Sequence, residues 1–396
     1  MKLSNRIEQL AISPTRRYLG LAQEVEAAGT RVLRLSIGQP DIAAPNEYFE
    51  ALGQLTRGTV PYPPAMGIPA MRKAQSDYYK KYGIDYAPEE IFITTGATEG
   101  ITFAIQTLCD PGDAIMLIEP FYTNYGMIAQ MQDVETVAIT TSVHDNYSLP
   151  SLETFESLYS DNLRAILFAN PGNPTGRVYT EEELQIIVDF ALKHDLYVIS
   201  DEVYREFNFT ERPFVSMYDF EEIRDHLFLI DSASKKYALC GARVGSIATK
   251  NEYLKEAMVK LSQMRLGCPH AEQVAVAKLI NLDDRYFDGV RELYRNRRDA
   301  LREALEAVGT LEFSEPEGAF YTMIRLPVKN AEDYVVWLLK NFSIDHETVL
   351  LTPASGFYKT PGAGIDEVRV SYCVDADILR RAIHIVAEGL KEYPNN

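Results

Sequence analysis

The segment RAILFANPGNPTGRVYTEEELQIIVDFALKHDLYVISDE, residues 164–202, decides the fold. Its two ends, RAILFANP (164–171) and LYVISDE (196–202), are short apolar runs that stop at turn or acidic residues, and each reads as a buried strand. Between them TEEELQIIVDFALKHD has helical periodicity. It opens with Thr180 and reaches Glu183 three residues later, which is a capping-box signature. A strand, a helix and a second strand, with both strands apolar along their length, predict parallel neighbours in a sheet covered on both faces.

The same texture extends outward. EIFITTG (90–96), DAIMLIEP (113–120), HLFLIDS (226–232) and RVGSIAT (243–249) read as further buried strands, and TEGITFAIQTLC (98–109) as a helix. After about residue 281 the pattern changes: a long charged helix (283–309) precedes GAFYTMIRLP, another helix, EVRVSYC and a final helix. The expected fold is α/β: a mostly parallel central sheet with helices on both faces, plus a smaller α+β domain. We assign residues 46–280 to the large domain, and residues 1–45 with 281–396 to the small one.

Composition excludes several functions. The 396 residues carry a net charge of -18, from 57 acidic and 39 basic side chains, so neither nucleic acid nor an anionic membrane surface is expected as partner. No apolar run reaches membrane-span length, and MKLSNRIEQL lacks the apolar core of a signal peptide. The four cysteines, Cys109, Cys240, Cys268 and Cys373, lie far apart and read as reduced thiols of a cytoplasmic protein. Neither they nor the histidines show metal-ligand spacing, and no metal is expected.

In open α/β sheets ligands bind beyond the carboxyl ends of the strands, so the polar residues there carry the functional reading. TTGATEG (94–100) follows one strand and opens a helix; Gly96 permits a tight turn, and the free amides of Ala97 and Thr98 can hold an anion, although many helix starts look the same. NPGNPTG (170–176) is either a plain Pro/Gly turn or the place where Asn173 donates an amide hydrogen bond. Asp201, just past LYVIS, needs a partner, which is a helix N-cap in one reading and a ligand cation in the other. SASKKYALCGARVG (232–245) adds Ser232, Ser234, Lys235, Lys236 and Arg243 directly after a buried strand. Phosphate would lie on the Gly96 turn, the serines and the planar fork of Arg243. A cationic ring nitrogen would face Asp201, a phenolate oxygen would sit between Asn173 and Tyr204, and a lysine would meet an aldehyde. Pyridoxal 5'-phosphate (PLP) has all of these features.

The pattern S-x-S-K followed by G-x-R-x-G resembles the cofactor-attachment motif of class I/II aminotransferases, of the aspartate aminotransferase superfamily and fold type I. IGQPD (37–41), YPPAMGIPAMR (62–72), TTGATEGI, EPFYTNY (119–125), NPGNPTG, SDEVY (200–204), EGAFY (317–321) and VRVSY (368–372) follow in that family's order. The resemblance implies a homodimer with active sites at the subunit interface. It makes Lys235 the Schiff-base lysine, with Lys236 facing the other way along an extended segment. Asp201 becomes the pyridinium partner, and Asn173 and Tyr204 the groups at the ring hydroxyl. Ala97, Thr98, Ser232, Ser234 and Arg243 form the phosphate cradle, joined by Tyr62 from the neighbouring subunit. Tyr122 stacks on the ring, and Gly38 and Arg369, with Asn173, grip the substrate α-carboxylate.

Amino transfer between an L-amino acid and 2-oxoglutarate, with aspartate as a donor, is the expected reaction. A PLP-dependent carbon–sulfur β-lyase would keep almost the same residues. A non-enzymatic PLP-binding regulator would normally carry a DNA-binding segment ahead of a first motif that here begins by residue 37. One departure stands out: Thr98 occupies the position where many bacterial aspartate aminotransferases place a lysine for the distal carboxylate. Arg16 and Arg265 are the replacement candidates, each also readable as a surface arginine. If neither serves, the side-chain pocket is apolar, around Ile37, Tyr122 and Phe320.

Overall fold

The structure, a computed structural model, describes residues 3–55 and 60–394. Seven strands form the main sheet, in the order Ile91–Thr94, Gly245–Ala248, Leu227–Ser232, Tyr197–Asp201, Leu163–Ala169, Ala114–Glu119 and Glu135–Thr140. Gly245–Ala248 alone runs opposite to the other six strands. The expected mostly parallel sheet is therefore present.

The apolar strands are explained by two-sided burial. Ile166, Phe168 and Val198 face a core shared with helices Pro69–Lys80, Glu181–Lys193 and His270–Lys278. Ala165, Leu167 and Ile199 face the opposite core, under Ala97–Leu108 and Glu252–Arg265. Successive side chains alternate between faces, so the run 165–169, with a core on each side, is apolar throughout. The predicted capping box closes as read: Thr180 Oγ1 accepts from Glu183 N at 3.2 Å, and Glu183 Oε2 accepts from Thr180 N at 2.8 Å.

The strand Glu135–Thr140 corrects the sequence reading, which had no strand there. It lies at the sheet edge with one partner, and its side chains are mostly half-buried or exposed. A continuous apolar run was the signal used elsewhere, and an edge strand does not need one.

A second, antiparallel sheet has the order Thr352–Pro353, Glu367–Ser371, Tyr321–Arg325 and Glu312–Phe313. Helices Arg285–Val308 and Ala376–Glu392 contribute Val290, Leu301, Ile383 and Val386 to its core. The N-terminal segment joins this unit: Arg31–Arg34 pairs in parallel with Glu347–Leu350, and Ser371 N donates to Leu35 O at 2.8 Å. No helix among the described residues is long and apolar enough to cross a membrane. Cys268 and Cys373 are buried, Cys109 and Cys240 partly so, and all four are free thiols.

Candidate active site

Three parallel strands deliver their carboxyl ends to one edge of the main sheet, at Asp201, Ser232 and Ala169. Gly245 pairs with both Thr94 and Ser232, which brings the Gly96 turn, the serines and Arg243 together. Gly96 has φ +77°, and a Cβ there would lie 2.2 Å from Arg243 Nη2, so only glycine fits. Arg243 is itself left-handed at φ 54°; its Nη2 donates to Thr95 O at 3.1 Å and its Nη1 to Cys240 O at 3.0 Å. Helix Ala97–Leu108 begins beside this guanidinium, and the first amides of a helix have no intrahelical acceptor. Ser232 Oγ accepts from Ser234 N at 3.1 Å and lies 2.9 Å from Ser234 Oγ. The Ser232 hydroxyl is also within 3.0 Å of Val244 O, and the helix amides, the Ser234 hydroxyl and the exposed guanidinium are a donor set that fits a dianion.

Asp201 is buried, with Oδ2 accepting from Tyr125 Oη at 2.7 Å and Oδ1 from Val203 N at 3.3 Å. Burial pushes its carboxyl up to about 6, against the lowering effect of those two hydrogen bonds. No arginine or lysine pairs with it among the described residues. A carboxylate held this way fits a cationic N–H donor, as the pyridine nitrogen of PLP provides when protonated. The same shift has a sign in the cofactor-free protein. A carboxyl raised from 3.8 to about 6 holds its proton longer in the folded state. Its contribution to stability is complete below about pH 4 and lost as pH rises through about 6. The difference in unfolding free energy between cofactor-free wild type and Asp201→Asn should therefore fall by up to roughly 3 kcal/mol across that window. Denaturant titrations at pH 4, 5, 6 and 7 measure it, and a flat difference would mean that Asp201 is not desolvated.

Lys235 stands on a single helical turn, Ala233–Lys236, and not on the extended segment read from the sequence. Its Nζ donates to Gly38 O at 3.0 Å and lies 5.8 Å from the Tyr204 ring and 5.9 Å from that of Phe320. Lys236 does face elsewhere, buried against Asp231 and 3.5 Å above the Tyr78 ring. On a helical turn neighbours separate by about 100°, enough to send the two amines apart.

Arg369 lies on Glu367–Ser371, buried between the Tyr321 ring at 4.5 Å and the Phe357 ring at 5.2 Å. Its Nη1 donates to Asn173 Oδ1 at 3.1 Å and its Nη2 to Ser36 O at 2.7 Å, while Nε is buried without a partner. No carboxylate neutralises it among the described residues, and an unpaired guanidinium this deep fits an anionic ligand. Asn173 thus gives its oxygen to Arg369, and its amide nitrogen has no hydrogen-bond partner among the described residues. Tyr204 Oη lies 2.9 Å from Tyr321 Oη, which approaches Gly38 O at 3.4 Å. A Cβ on Gly38 would sit 1.8 Å from that hydroxyl, so the close approach requires glycine. Tyr122 is half-buried, edge-on to Tyr125 with ring centroids 5.4 Å apart.

The structure thus gathers Gly38, Asn173, Asp201, Tyr204, Lys235 and Arg369 into one cluster beside the Gly96 turn. Tyr62 is not drawn into it within the chain: it is 82 % exposed and makes no hydrogen bond or ring contact among the described residues. Two site residues were missed although their motifs were quoted, Tyr125 and Tyr321. The demand that buried Asp201 and Arg369 find partners was the signal that could have found them.

Arg265 does not suit the distal-carboxylate role. Its Nη1 donates to Glu99 Oε2 at 2.5 Å and Cys268 Sγ at 2.7 Å, and its Nη2 to Ala65 O at 3.1 Å and Ile93 O at 3.2 Å. All four terminal N–H groups are occupied by its own chain, and it fastens the base of the Gly96 turn. Arg16 is exposed and its side chain has no partner among the described residues.

A family described as "Aminotransferase class I and II" matches residues 30–386. The probable aspartate/prephenate aminotransferase of Aquifex aeolicus is 29% identical over 395 residues, covering 98% of this chain and 99% of its own. Aromatic-amino-acid aminotransferase 2 of Thermococcus litoralis is 30% identical over 402 residues, covering 99% of each chain. The solved alanine aminotransferase of Pyrococcus furiosus superposes with a TM-score of 0.90 at 26% identity, over 99% of this chain and 100% of that one. With the family matched from residue 30 to residue 386 and the fold shared end to end, the chain belongs to the class I and II aminotransferases and is a PLP-dependent enzyme.

Proposed function

We propose that this aminotransferase moves an amino group from an L-amino acid to 2-oxoglutarate, with aspartate among its donors, in a cytoplasmic homodimer. One observation carries the reading: Arg369 is a buried, unneutralised guanidinium fork close to the Lys235 amine through Tyr321 and Gly38. A substrate carboxylate at that fork sets the α-carbon toward Lys235. The relatives' names differ in donor (aspartate/prephenate, aromatic, alanine), so the donor reading rests on the site's charges.

Bound PLP supplies the aldehyde that takes the amino group and a ring that spreads the charge left at Cα. Lys235 takes the proton from the substrate Cα and returns it as general acid. Asp201 holds a proton at the ring nitrogen, and Tyr125 and Val203 N hold Asp201 in place. Asn173, through its free amide, and Tyr204 orient the ring hydroxyl, while Tyr122 covers the ring. Ala97, Thr98, Ser232, Ser234 and Arg243 hold the phosphate, and we assign the exposed Tyr62 to the phosphate of the partner subunit. Residues 46–280 form the large unit in this proposal, and 1–45 with 281–396 the small one. In support, Phe287 packs with the main-sheet core and Val290, one helical turn later, with the other.

Carbon–sulfur β-elimination finds no support among the named relatives, and neither does a non-enzymatic regulator. A panel of amino donors with 2-oxoglutarate, followed by the cofactor's absorbance, tests the proposal. Conversion of the cofactor and formation of glutamate are expected, whereas pyruvate and ammonia from cystathionine would instead identify a lyase.

Arg16 is the remaining candidate for the distal carboxylate, because Thr98 carries no charge and Arg265 is engaged. Arg16→Ala should cost dicarboxylate donors roughly 1.5–3 kcal/mol in kcat/KM, the size of a charged hydrogen bond, and leave alanine nearly unchanged. If the aspartate-to-alanine ratio does not move, the pocket is apolar around Ile37, Tyr122 and Phe320.

A further inference from the structure

Asp231 is buried at the end of Leu227–Ser232 and binds the chain on both sides of Lys235. Its Oδ1 accepts from Ser232 N at 2.7 Å, directly before the turn Ala233–Lys236. Its Oδ2 pairs with Lys236 Nζ, at the other end of that turn, and accepts from Gln75 Nε2 at 2.8 Å. Lys236 is 3 % exposed and rests on the Tyr78 ring at 3.5 Å. Tyr78 is in turn fixed by its hydroxyl, which donates to Glu206 at 2.7 Å.

A four-residue turn has little stability of its own, since one turn fixes several dihedrals for few hydrogen bonds. A buried ion pair is also a poor source of stability, because desolvation offsets its attraction. What one carboxylate bonded to both ends does supply is direction. The Lys235 Cα lies between the two attachment points, so the turn cannot rotate without breaking one of them.

We propose that Asp231 and Lys236 are positioning residues that clamp the Lys235 turn and aim its amine at the reacting carbon, a role that rests on Lys235 being the cofactor-bearing lysine. An amine displaced by about 1 Å can lose two orders of magnitude in rate, so the clamp acts on proton transfer more than on binding.

The test compares PLP-loaded wild type with Lys236→Met, Lys236→Arg and the double variant Asp231→Leu, Lys236→Met. Each is reduced with borohydride and the pyridoxyl label mapped, and kcat per bound cofactor and the isotope effect with an α-deuterated donor are measured. Lys236→Met should lower kcat per bound cofactor about 10- to 100-fold, with donor KM within about threefold. It should also raise the isotope effect and reduce the share of bound PLP fixed to Lys235. Lys236→Arg, which keeps a cation for Asp231, should recover most of the loss. The double variant removes the buried pair, and with it the acceptor of Ser232 N and Gln75 Nε2, so it should still fold, with a Tm lowered by the two stranded donors, and show the same loss of rate. A pair that only stabilises the fold would lower Tm and leave rate, isotope effect and labelling unchanged, and that result overturns the clamp. Label on another lysine in the wild type defeats the site assignment and the clamp together. Label on Lys235 without amino transfer defeats only the proposed reaction, and the labelling of the variants then decides the clamp.

Discussion

Lys235→Ala is expected to lower turnover by about 10⁴-fold or more, the upper end of what one positioned general base contributes. The expectation is large because the proposal gives one amine two tasks. It is the covalent anchor of the cofactor, and among the described residues it is the only lysine whose Nζ lies beside Gly38, Tyr204 and Phe320. Lys236 cannot replace it, since its Nζ is paired to Asp231 and covered by Tyr78. Cofactor should still bind the variant through Arg243 and the Gly96 turn, which do not depend on Lys235. A single-turnover reaction followed by the cofactor's absorbance separates the two effects: cofactor retained, amino transfer lost. In the wild type, borohydride should place the label on Lys235. A label on Lys236, or turnover surviving within about tenfold, would remove Lys235 from the mechanism.

What could be read in advance follows from how each signal is encoded. The strands of the main sheet were legible because burial on both faces forces an unbroken apolar run, as in AILFA (165–169). Glu135–Thr140 was not, because an edge position permits Glu135 and Thr140 to stay exposed. Thr180 and Glu183 announced a helix start because both halves of a capping box lie three residues apart in the chain. Partnerships across long separations leave no such trace. Tyr125 reaches Asp201 across 76 residues, and Tyr204 meets Tyr321 across 117. The occupation of Arg265 by Glu99, Ala65 and Ile93 was equally hidden, so composition alone left it looking available. The turn under Lys235 was misread as extended because four residues carry too little periodicity to tell the two apart.

Asp201→Ala should slow loss of the Cα proton by about 10²–10³-fold, the size found when one preorganised electrostatic partner is removed. The structure gives the reason in the cost of burying this carboxylate. Desolvation raises it to about 6 even with Tyr125 and Val203 N donating to it and the Lys235 charge acting on it from farther off, and among the described residues no cation pairs with it directly. A protonated ring nitrogen would be that cation, and the pairing favours the charged form of both groups. Removing the carboxylate removes the reason for the nitrogen to stay protonated at neutral pH, and with it most of the ring's capacity to take up charge from Cα. The substrate carboxylate, by contrast, is held at Arg369 and Asn173, which share no hydrogen bond with Asp201. Donor binding should therefore change by no more than about threefold, because the lost interaction develops with the transition state and not with the bound substrate. Rapid-mixing measurements over a range of donor concentrations separate the rate from the affinity. Tyr125→Phe serves as the graded control: it leaves the charge but removes its firmest hydrogen bond, and should fall between wild type and Asp201→Ala. Equal losses in rate and affinity would make Asp201 a cap for the 201–204 turn, where Val203 N is its partner, and not the partner of the cofactor nitrogen.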